Sequence, residues 1–375
     1  MKVVIAIDSF KGSLSSMQAA DAAREGILRA HPDARVSVYP LSDGGEGTTD
    51  TLIDGLGGRR VEIQVCGPDG LPVAAHYGIL PQNGGAVMEM AQAAGLTLSR
   101  KRDPLQATTR GVGEMIRDAL SRGMRRFLIG IGGSATNDGG IGMLQALGWR
   151  FLTADGSDAG EGAQALAKID AILPPGSEMQ ALLSESTFRV ACDVTNPLCG
   201  ANGATYVFGP QKGLAPDLLE PIDAGMAHYA DAAEKATGRI CRQIPGTGAA
   251  GGLGFALCGF LNASLAPGVD LILDAVGLEK ELPDADFLVT GEGRLDAQTA
   301  MGKAPVGAAR LAKKYGVRTI AFTGSVTPEA SALHQAGIDA YFPILRSVCT
   351  PEEAMKPENA FANLRDTAEQ VFRLL

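Results

Sequence analysis

Five apolar runs in the sequence each end in a glycine-rich polar loop. The first run, Val3–Ile7, is continuously apolar, as expected of a central parallel strand covered on both faces. A helix is predicted after it, because apolar residues recur at helical spacing from Leu14 to Leu28 and because Ser15 with Gln18 forms a capping-box pattern. The loops that follow the five runs are Asp8–Ser13, Ser42–Gly47, Gly130–Gly140, Thr290–Arg294 and Thr323–Ser325.

The same succession of strand and helix recurs along the chain. It predicts further strands at residues 36–41, 127–131, 287–289, 319–322 and 340–344. Right-handed crossovers would join these strands and the first one into a single sheet of about six strands. The glycine-rich loops would then meet at the carboxyl edge of that sheet, where doubly wound sheets bind their ligands and where exposed amides at helix starts favour anions.

Two stretches between these units have a different pattern. Residues 59–90 alternate apolar and polar positions around turn formers at 67–70 and 82–85, which predicts antiparallel hairpins. Residues 148–269 are irregular and rich in glycine. We expect both stretches to form a second, smaller inserted α/β domain, separated by a cleft from a Rossmann-like doubly wound parallel sheet. The expected boundaries are 1–58, 100–147 and 270–375 for the Rossmann-like domain, and 59–99 and 148–269 for the inserted domain.

The composition supports an α/β protein and excludes two classes of partner. The chain has 375 residues, of which 49 are glycine and only 5% are aromatic, a balance that suits close-packed helices and tight loops better than a β-sandwich. A formal net charge of −9 argues against nucleic acid or an anionic membrane as the main partner. Basic side chains must then act locally, and the ones in or beside glycine-rich motifs are Lys11, Lys212, Arg294 and Lys303.

The cysteines and histidines narrow the chemistry further. The six cysteines include no C-x-x-C pair, so neither a zinc knuckle nor a disulfide framework is indicated. The four histidines lie outside the glycine-rich motifs, which disfavours histidine acid–base chemistry. The sequence opens directly on a strand and has no apolar run near the roughly 18 residues of a membrane helix. We therefore expect a cytoplasmic protein.

The loop Gly130–Gly140 carries the densest anion-binding signal. Its first six residues fit the dinucleotide pattern G-x-G-x-x-A after a strand, and hydroxyl, amide and carboxylate groups follow. This combination predicts contact with a phosphate or with its metal ion. The competing interpretation is that the glycines only allow tight packing between a strand and a helix. The predicted phosphate ligands are Gly132, Gly133, Ser134, Thr136 and Asn137, and the predicted metal ligand is Asp138.

The loops after the first two runs place charges at helix starts. Asp8, Ser9 and Lys11 bring a carboxylate, a hydroxyl and an ammonium into one turn, which predicts a contact with an acceptor substrate or a phosphate. Helix capping and a solvated lysine are the competing interpretation. Asp43 and Glu46 offer two carboxylates at the start of the next helix, which predicts a chemical role. Because both charges also complement the helix dipole, pure capping is the competing interpretation.

The loop after the fourth run contains acidic and basic residues that are not part of an amphipathic pattern. It contains Gly291, Glu292, Arg294 and Asp296, and Lys303 follows. The segment lacks the G-x-x-x-x-G-K-[ST] phosphate loop, since alanine follows Lys303, so a Walker-type ATPase is not indicated. A solvated surface turn is the competing interpretation.

Taken together, the motifs resemble those of one known family, the bacterial type I glycerate kinases. They stand in the family's order and span the whole chain. The motifs are DSFKGSLSS (8–16), PLSDGGEGT (40–48), GIGGSATNDGG (130–140), DVTNPLCGANGA (193–204), FGPQKG (208–213), GAAGGLGFAL (248–257) and TGEGRLDAQTAMGKAP (290–305).

The resemblance implies a Rossmann-like domain with a smaller α/β domain, and phosphate transfer from ATP to D-glycerate. The usual product of this family is 2-phosphoglycerate, and 3-phosphoglycerate stays open. Phosphoryl transfer requires cations and Mg²⁺ on the phosphates and a carboxylate that takes the hydroxyl proton. The expected partners are D-glycerate and ATP, without nucleic acid or membrane, and a homodimer is left open.

The candidate residues can be assigned to roles on this basis, although each acidic candidate could either hold Mg²⁺ or act as the base. The catalytic candidates are Lys11, Asp43, Asp193 and Arg294. The candidates for ATP phosphates, besides the 130–140 loop, are Gly291, Glu292 and Lys303; those for substrate are Asp8, Ser9 and Lys212; those for metal are Asp138 and Asp296.

Two other classes of protein share some of these features. A nicotinamide-dependent oxidoreductase of small hydroxy acids would use the same G-x-G-x-x-A pattern, but no obvious hydride-site histidine accompanies it. A non-catalytic binding protein for small acids would share the cleft, but such proteins normally carry an export signal, and none is visible.

Overall fold

The computed structural model describes residues 1–81 and 84–375. The strands are β1 (Lys2–Ile7), β2 (Arg35–Pro40), β3 (Arg59–Cys66), β4 (Pro72–Leu80), β5 (Gly85–Glu89), β6 (Arg126–Gly130), β7 (Arg150–Leu152), β8 (Ala171–Leu173), β9 (Thr187–Ala191), β10 (Ser264–Ala266), β11 (Phe287–Leu295), β12 (Arg318–Val326) and β13 (Ala340–Pro343). The α-helices are α1 (Ser16–Ala30), α2 (Thr48–Leu56), α3 (Ala91–Ala94), α4 (Arg110–Ser121), α5 (Ile141–Ala146), α6 (Ser177–Ser184), α7 (Ala204–Lys212), α8 (Leu219–Thr237), α9 (Ala249–Leu261), α10 (Gly268–Val276), α11 (Ala297–Ala300), α12 (Ala304–Lys313), α13 (Leu333–Ala336), α14 (Pro351–Ala354) and α15 (Pro357–Phe372). Short 3₁₀ helices lie at Ala163–Lys168, Pro216–Leu218, Leu278–Glu281 and Pro328–Ala332.

The chain divides into two units, and each is built around its own main sheet. The first unit comprises Met1–Asp43, Asp50–Gly57 and Val269–Leu375, so it is assembled from both ends of the chain. The second unit comprises Gly44–Thr49 and Gly58–Gly268.

The first unit contains a parallel sheet of five strands in the order β13-β12-β11-β1-β2. From β1 the chain steps outward to β2 on one side, and from β11 it steps through β12 to β13 on the other side. The strand order therefore reverses between β1 and β11, which is the topological switch point of a doubly wound sheet. Helices α1 and α15 cover one face of the sheet, while α12 and α13 pack on the other.

Helix α1 begins as its sequence predicts and packs closely on α15. The Ser15 hydroxyl accepts from the Gln18 amide at 3.2 Å, and the Gln18 side chain accepts from the Ser15 amide at 2.9 Å, so the predicted capping box is confirmed. At Gly26 the two helices approach so closely that a Cβ would lie 2.1 Å from the carbonyl oxygen of Arg365. Glycine at this position thus sets how closely α1 and α15 can approach.

The second unit contains a mixed sheet of six strands in the order β10-β9-β6-β5-β4-β3. Its β3–β4 and β4–β5 pairs are antiparallel, which confirms the predicted hairpins, and the remaining pairs are parallel. The predicted turn at 82–85 includes Gln82 and Asn83, which lie outside the described residues. Strands β7 and β8 form a separate antiparallel pair.

The expectation that strand 127–131 belongs to the first sheet is wrong. The strand is β6, and it pairs in parallel with β5 and β9 of the second sheet. The reason is local, because β5, α4 and β6 follow one another, and such a succession normally closes as a crossover between neighbouring strands. Segment 100–147 accordingly lies in the second unit, which is the larger unit and not the smaller one.

The described parts of the chain contain no helix that is both long and apolar enough to cross a membrane. Helix α9 is strongly apolar but has only 13 residues. Helix α8 has 19 residues and carries several charged side chains. A membrane-spanning helix needs about 20 predominantly apolar residues.

Replacing Gly26 with alanine should destabilise the first unit by roughly 1–3 kcal/mol, because the new methyl group would force α1 and α15 apart. Gly259→Ala in α9 is the matched control, since a Cβ there would meet nothing within 4 Å. The control should keep or slightly raise stability, by about 0.5–1 kcal/mol. Urea unfolding of both variants measures the difference. A Gly26→Ala variant as stable as the wild type would contradict this account of the helix contact.

Candidate active site

The candidate site lies at the carboxyl ends of β1 and β11, at the switch point of the parallel sheet. The amide of Asp8 donates to the carbonyl oxygen of Gly291 at 2.9 Å, so the pairing of β1 with β11 continues to the start of the first loop. Glycine is required at 291 by the next strand, because a Cβ there would lie 2.0 Å from the carbonyl oxygen of Phe322. The chain therefore leaves the sheet after β1 at this point, whereas β11 continues beside it to Leu295, paired with β12.

A pocket of about 580 Å³ opens at this edge, and all of its lining residues belong to the first unit. Its volume is within the range of about 300–1,000 Å³ that small-molecule sites occupy. Four of the predicted glycine-rich segments contribute to it, as expected for segments that meet at one sheet edge. The expectation that Thr290–Arg294 and Thr323–Ser325 are loops is wrong, because β11 and β12 stay paired through both segments. The predicted site residues that line the pocket are Asp8, Ser9, Lys11, Asp43, Glu292, Arg294, Asp296 and Lys303.

Asp8 is a buried carboxylate at the end of β1, only 6% exposed. Its Oδ1 accepts from the Ser9 amide at 2.6 Å. Burial raises the pKa of Asp8 to about 7, and the nearby negative charges of Asp43 and Glu292 contribute, while the Ser9 amide and the Lys11 ammonium oppose the shift. A carboxylate with such a pKa can take up and release a proton near neutral pH, as a general base must.

Glu292 and Asp296 lie close together around the hydroxyl of Thr299. That hydroxyl donates to Glu292 Oε1 at 2.6 Å and lies 3.5 Å from Asp296 Oδ1. Burial raises the pKa of Glu292, although the Thr299 hydroxyl and Lys303 oppose the shift. Burial acts in the same direction on Asp296, but there the amides of Thr299 and Gln298 outweigh it, and the pKa of Asp296 is lowered. The two amide contacts also form the N-cap of α11.

Three cations line the same pocket as these carboxylates. Lys11 and Arg294 are exposed, whereas Lys303 is partly buried at the start of α12. The Nε of Arg294 lies 3.9 Å from Asp296 Oδ2, so its positive charge is only loosely engaged within the protein. Such an arrangement can neutralise an anionic ligand while a separate carboxylate accepts a proton.

The carboxylates of the pocket can supply part of a Mg²⁺ site, and phosphate oxygens and water would supply the other ligands. Within the described ranges 1–81 and 84–375, no three His, Cys, Asp or Glu residues are placed to hold a metal ion. Glu292 and Asp296 nevertheless bring two hard oxygen donors to one hydroxyl group. Mg²⁺ usually binds one or two carboxylates together with phosphate oxygens and water, and this pair matches that preference.

Four other predicted ligands, Thr136, Asn137, Asp138 and Lys212, are in the interior of the second unit. The oxygens of Asp138 accept from the amide and hydroxyl of Thr109 and from two backbone amides at the start of α5. Lys212 is 2% exposed and donates to the carbonyl oxygen of Thr136 at 2.7 Å, and burial lowers its pKa to about 7. Asp138 and Lys212 are thus bonded inside the unit, whereas Thr136 Oγ1 and Asn137 Oδ1 have no hydrogen-bond partner among the described residues. All four side chains lack an exposed surface, and their ligand and metal roles stay predictions.

Of the remaining predicted residues, Gly291 is buried in β11 of the first unit, and the others lie at the surface of the second unit. Gly132 and Gly133 are exposed and Ser134 is partly so, but the loop does not open directly into a helix, since α5 begins only at Ile141. A dinucleotide-binding turn would lead straight into its helix. Asp193 is exposed, and its Oδ1 accepts from the backbone amide of Gly268, at 2.9 Å. The ligand roles of these surface residues stay predictions.

No sequence motif marks the apolar part of the pocket. It is lined by Phe10, Ile344, Leu345, Cys349 and Met355, and all but Phe10 come from the segment after β13. That segment has neither glycine clusters nor paired charges of the kind that mark the other loops. Only the position of β13 at the edge of the same sheet brings it to the pocket.

Comparisons with known proteins agree with one another. A sequence model described as the "Glycerate kinase family" matches residues 3–375. The chain is 47% identical to "Glycerate kinase" of Bacillus subtilis, covering 99% of this chain and 97% of that protein. It is 44% identical to "Glycerate 2-kinase" of Escherichia coli, covering 95% and 93% of the two chains. A crystal structure from Salmonella typhimurium LT2, described as a glycerate kinase 2, matches with a TM-score of 0.91 and 44% identity over 100% of this chain and 98% of that one.

Replacing Asp8 with asparagine should stabilise the protein at pH 8 and lose that effect near pH 4. The pKa of Asp8 is raised from 3.8 to about 7 on folding, so stability falls as pH rises through this window, and an uncharged amide avoids the loss. The expected gain at pH 8 is a few kcal/mol, with about 4 kcal/mol as the ceiling set by the pKa difference.

Urea unfolding in the presence of EDTA at both pH values tests this expectation. Asp33→Asn, at an exposed position of the first unit, is the matched control and should change stability by less than about 0.5 kcal/mol at either pH. An Asp8→Asn variant that is less stable than the wild type at pH 8 would contradict the burial of an unfavourable charge.

Proposed function

The chain belongs to the glycerate kinase family and is a kinase, and we propose that it transfers the terminal phosphoryl group of ATP to D-glycerate. The observation that carries this proposal is the strand-end pocket, in which three cations and four carboxylates from different loops line one cavity. Phosphoryl transfer asks a protein mainly for positioning and charge neutralisation, and the pocket offers both. The relatives are named as kinases, which argues against a nicotinamide-dependent enzyme and against a non-catalytic binding protein. The polar residues of loop 130–140 that would contact a dinucleotide are buried.

The charged side chains of the pocket have distinct roles in this reaction. Asp8 accepts the proton of the attacking hydroxyl group as the new O–P bond forms and the bond to the leaving ADP oxygen breaks. Lys11, Arg294 and Lys303 neutralise the negative charge on the phosphates, as cations do in other phosphoryl-transfer sites. Asp43 lies near enough to Asp8 and Glu292 to raise the pKa of each, and it keeps the proton affinity of Asp8 high.

Glu292 and Asp296 would hold Mg²⁺ together with phosphate oxygens of the nucleotide. The bound ion supplies positive charge between the phosphates, which lowers the cost of the charge that develops in the transition state. Thr299 holds the Glu292 carboxyl in place through its hydroxyl, and the α11 cap fixes Asp296 through two backbone amides.

The product we propose is 2-phospho-D-glycerate. The name "Glycerate 2-kinase" of the Escherichia coli relative supports this position of transfer. The experiment is a panel of small hydroxy acids and sugars with MgATP, followed by identification of the product by ³¹P and ¹H NMR. Turnover with D-glycerate should exceed that with all other acceptors. Phosphate on the third carbon would overturn the proposed position, and absence of preferred turnover with glycerate would overturn the proposed substrate.

Lys11→Ala and Arg294→Ala should each lower kcat/KM by roughly 10²–10³, equivalent to about 2.7–4 kcal/mol, if they act on transition-state charge as other charge-stabilising donors do. Lys313→Ala is the matched control, because Lys313 is exposed on α12 and does not line the pocket. The control should keep kcat/KM within about twofold. Thermal melting first confirms that the variants fold, and steady-state kinetics then measure kcat/KM. Wild-type kcat/KM in either pocket variant would remove that residue from the site.

A further inference from the structure

The pocket extends from the charged loops at β1 and β11 toward β13 at the edge of the sheet. Gly324 and Ser325, near the carboxyl end of β12, also line it, as do Ile344 and Leu345 after β13. Neighbouring strands lie about 4.8 Å apart, so the lining spans on the order of 10–14 Å across the sheet edge. Three-carbon glycerate is much shorter than this span, so a pocket of this length fits a longer ligand.

The segment after β13 returns across the pocket to the first loop. Its start is fixed by a hydrogen bond from the Ile344 amide to the carbonyl oxygen of Thr323, at 2.8 Å. Its far end is fixed near Gly12, since Met355 Cε lies 2.9 Å from where a Cβ on Gly12 would be. Between these points α14 begins with a capping box at Thr350. The segment is therefore anchored at both ends and forms one wall of the pocket.

The apolar side of the pocket combines exposed side chains with two buried ones, Ile344 and Phe10, which belong to the core cluster between the sheet and helices α1 and α15. Leu345 and Met355 are 45% and 47% exposed, and neither belongs to the buried cluster between the sheet and helices α1 and α15. Cys349 is exposed beside them, and Phe10 lies opposite in the first loop. Large apolar side chains that remain exposed around a cavity commonly mark a ligand site. Thioether and aromatic groups of this kind also contact flat aromatic rings favourably.

The pocket thus combines an apolar wall with a group of cations. A nucleoside triphosphate has the matching form, with a flat heteroaromatic base at one end and a polyanion at the other. We propose, resting on the proposed use of ATP, that the pocket-lining residues Ile344, Leu345, Cys349 and Met355 together with Phe10 form the subsite for the adenine base. The triphosphate then extends toward Lys11, Arg294 and Lys303.

Alkylation of Cys349 tests this assignment on the wild-type protein without measuring activity. Limiting N-ethylmaleimide is added, and modification of each cysteine is followed by peptide mass spectrometry. MgATP at ten times its dissociation constant should slow modification of Cys349 about elevenfold, the fraction left free by mass action. Magnesium tripolyphosphate and D-glycerate should leave its rate unchanged, because neither carries a base. Cys192, partly buried in the second unit, is the internal reference.

Three results would overturn the proposal. Unchanged modification with MgATP would mean that the base does not cover Cys349. Equal protection by tripolyphosphate would mean that phosphate binding alone shields the thiol. Protection by D-glycerate would assign this wall to the acceptor substrate.

A pair of variants on the same segment tests the site by kinetics. Leu345→Glu places a charge in the apolar wall and should raise KM for ATP by roughly tenfold or more, the effect of losing an apolar pocket contact, with KM for glycerate unchanged. Val348→Glu makes the same change of charge at a fully exposed position that does not line the pocket, and it should leave both KM values as they are. Thermal melting confirms that both variants fold.

The two proposals fail in different ways. If the wild type phosphorylates glycerate but Leu345→Glu leaves KM for ATP unchanged, the base subsite is wrong and the proposed function stands. If the wild type shows no ATP-dependent phosphorylation of glycerate, the proposed function is wrong, while protection of Cys349 by MgATP still reports on the nucleotide.

Discussion

The parallel pairing of β1 with β11 is the constraint on which the first unit and its pocket depend. Five residues of each strand are in register, and the hydrogen bond from Asp8 to Gly291 extends the ladder to the edge of the sheet. Because the chain departs in opposite directions on either side of this pair, no crossover helix covers the strand ends there. The opening that results is where Asp8 and Glu292 face the same cavity.

The same geometry creates an electrostatic conflict. Burial raises the pKa of Asp8 and of Glu292, and the nearby negative charge of Asp43 adds to both shifts. A protein selected only for stability would avoid such a cluster, since ionised carboxylates repel one another at short range. The Mg²⁺ ion of the proposed reaction would relieve this conflict by attracting the carboxylates. Ligand binding and charge relief are therefore coupled at this sheet edge.

The sequence carried enough information for the local elements and for most of the charged half of the pocket. The α1 capping box, the hairpins of residues 59–90 and the meeting of four glycine-rich segments at one sheet edge were all predicted from the sequence. Two of these segments are strand and not loop, because glycine-rich polar sequence does not exclude strand pairing. Strand order was harder, because β6 looks the same whether it joins β1 or β5. Periodicity reports which faces of a strand are buried, and it contains no information about the partner strand.

The burial of polar residues is the second feature that could not be predicted from the sequence. Thr136, Asn137 and Asp138 have the side chains of a phosphate loop, yet in the structure they are buried inside the second unit, where Asp138 accepts hydrogen bonds from backbone amides and a hydroxyl. Composition cannot separate these two uses, because a buried polar network and a ligand site require the same donors and acceptors. The apolar wall after β13 shows the opposite case, in which ordinary side chains gain importance only through their place at the sheet edge.

The division of the first unit between the two ends of the chain has a consequence for biosynthesis. A ribosome delivers β1 and β2 first, but β11, the neighbour of β1 in the sheet, follows only after the whole of Gly58–Gly268 has been made. The second unit is nearly continuous in sequence and can fold as it emerges, since domains generally fold as units during synthesis. Throughout that interval the β11-facing edge of β1 has no partner, and an unpaired apolar strand is prone to aggregation. We expect the nascent chain to be most dependent on chaperones during this period, and the catalytic pocket to be the last part of the molecule to form.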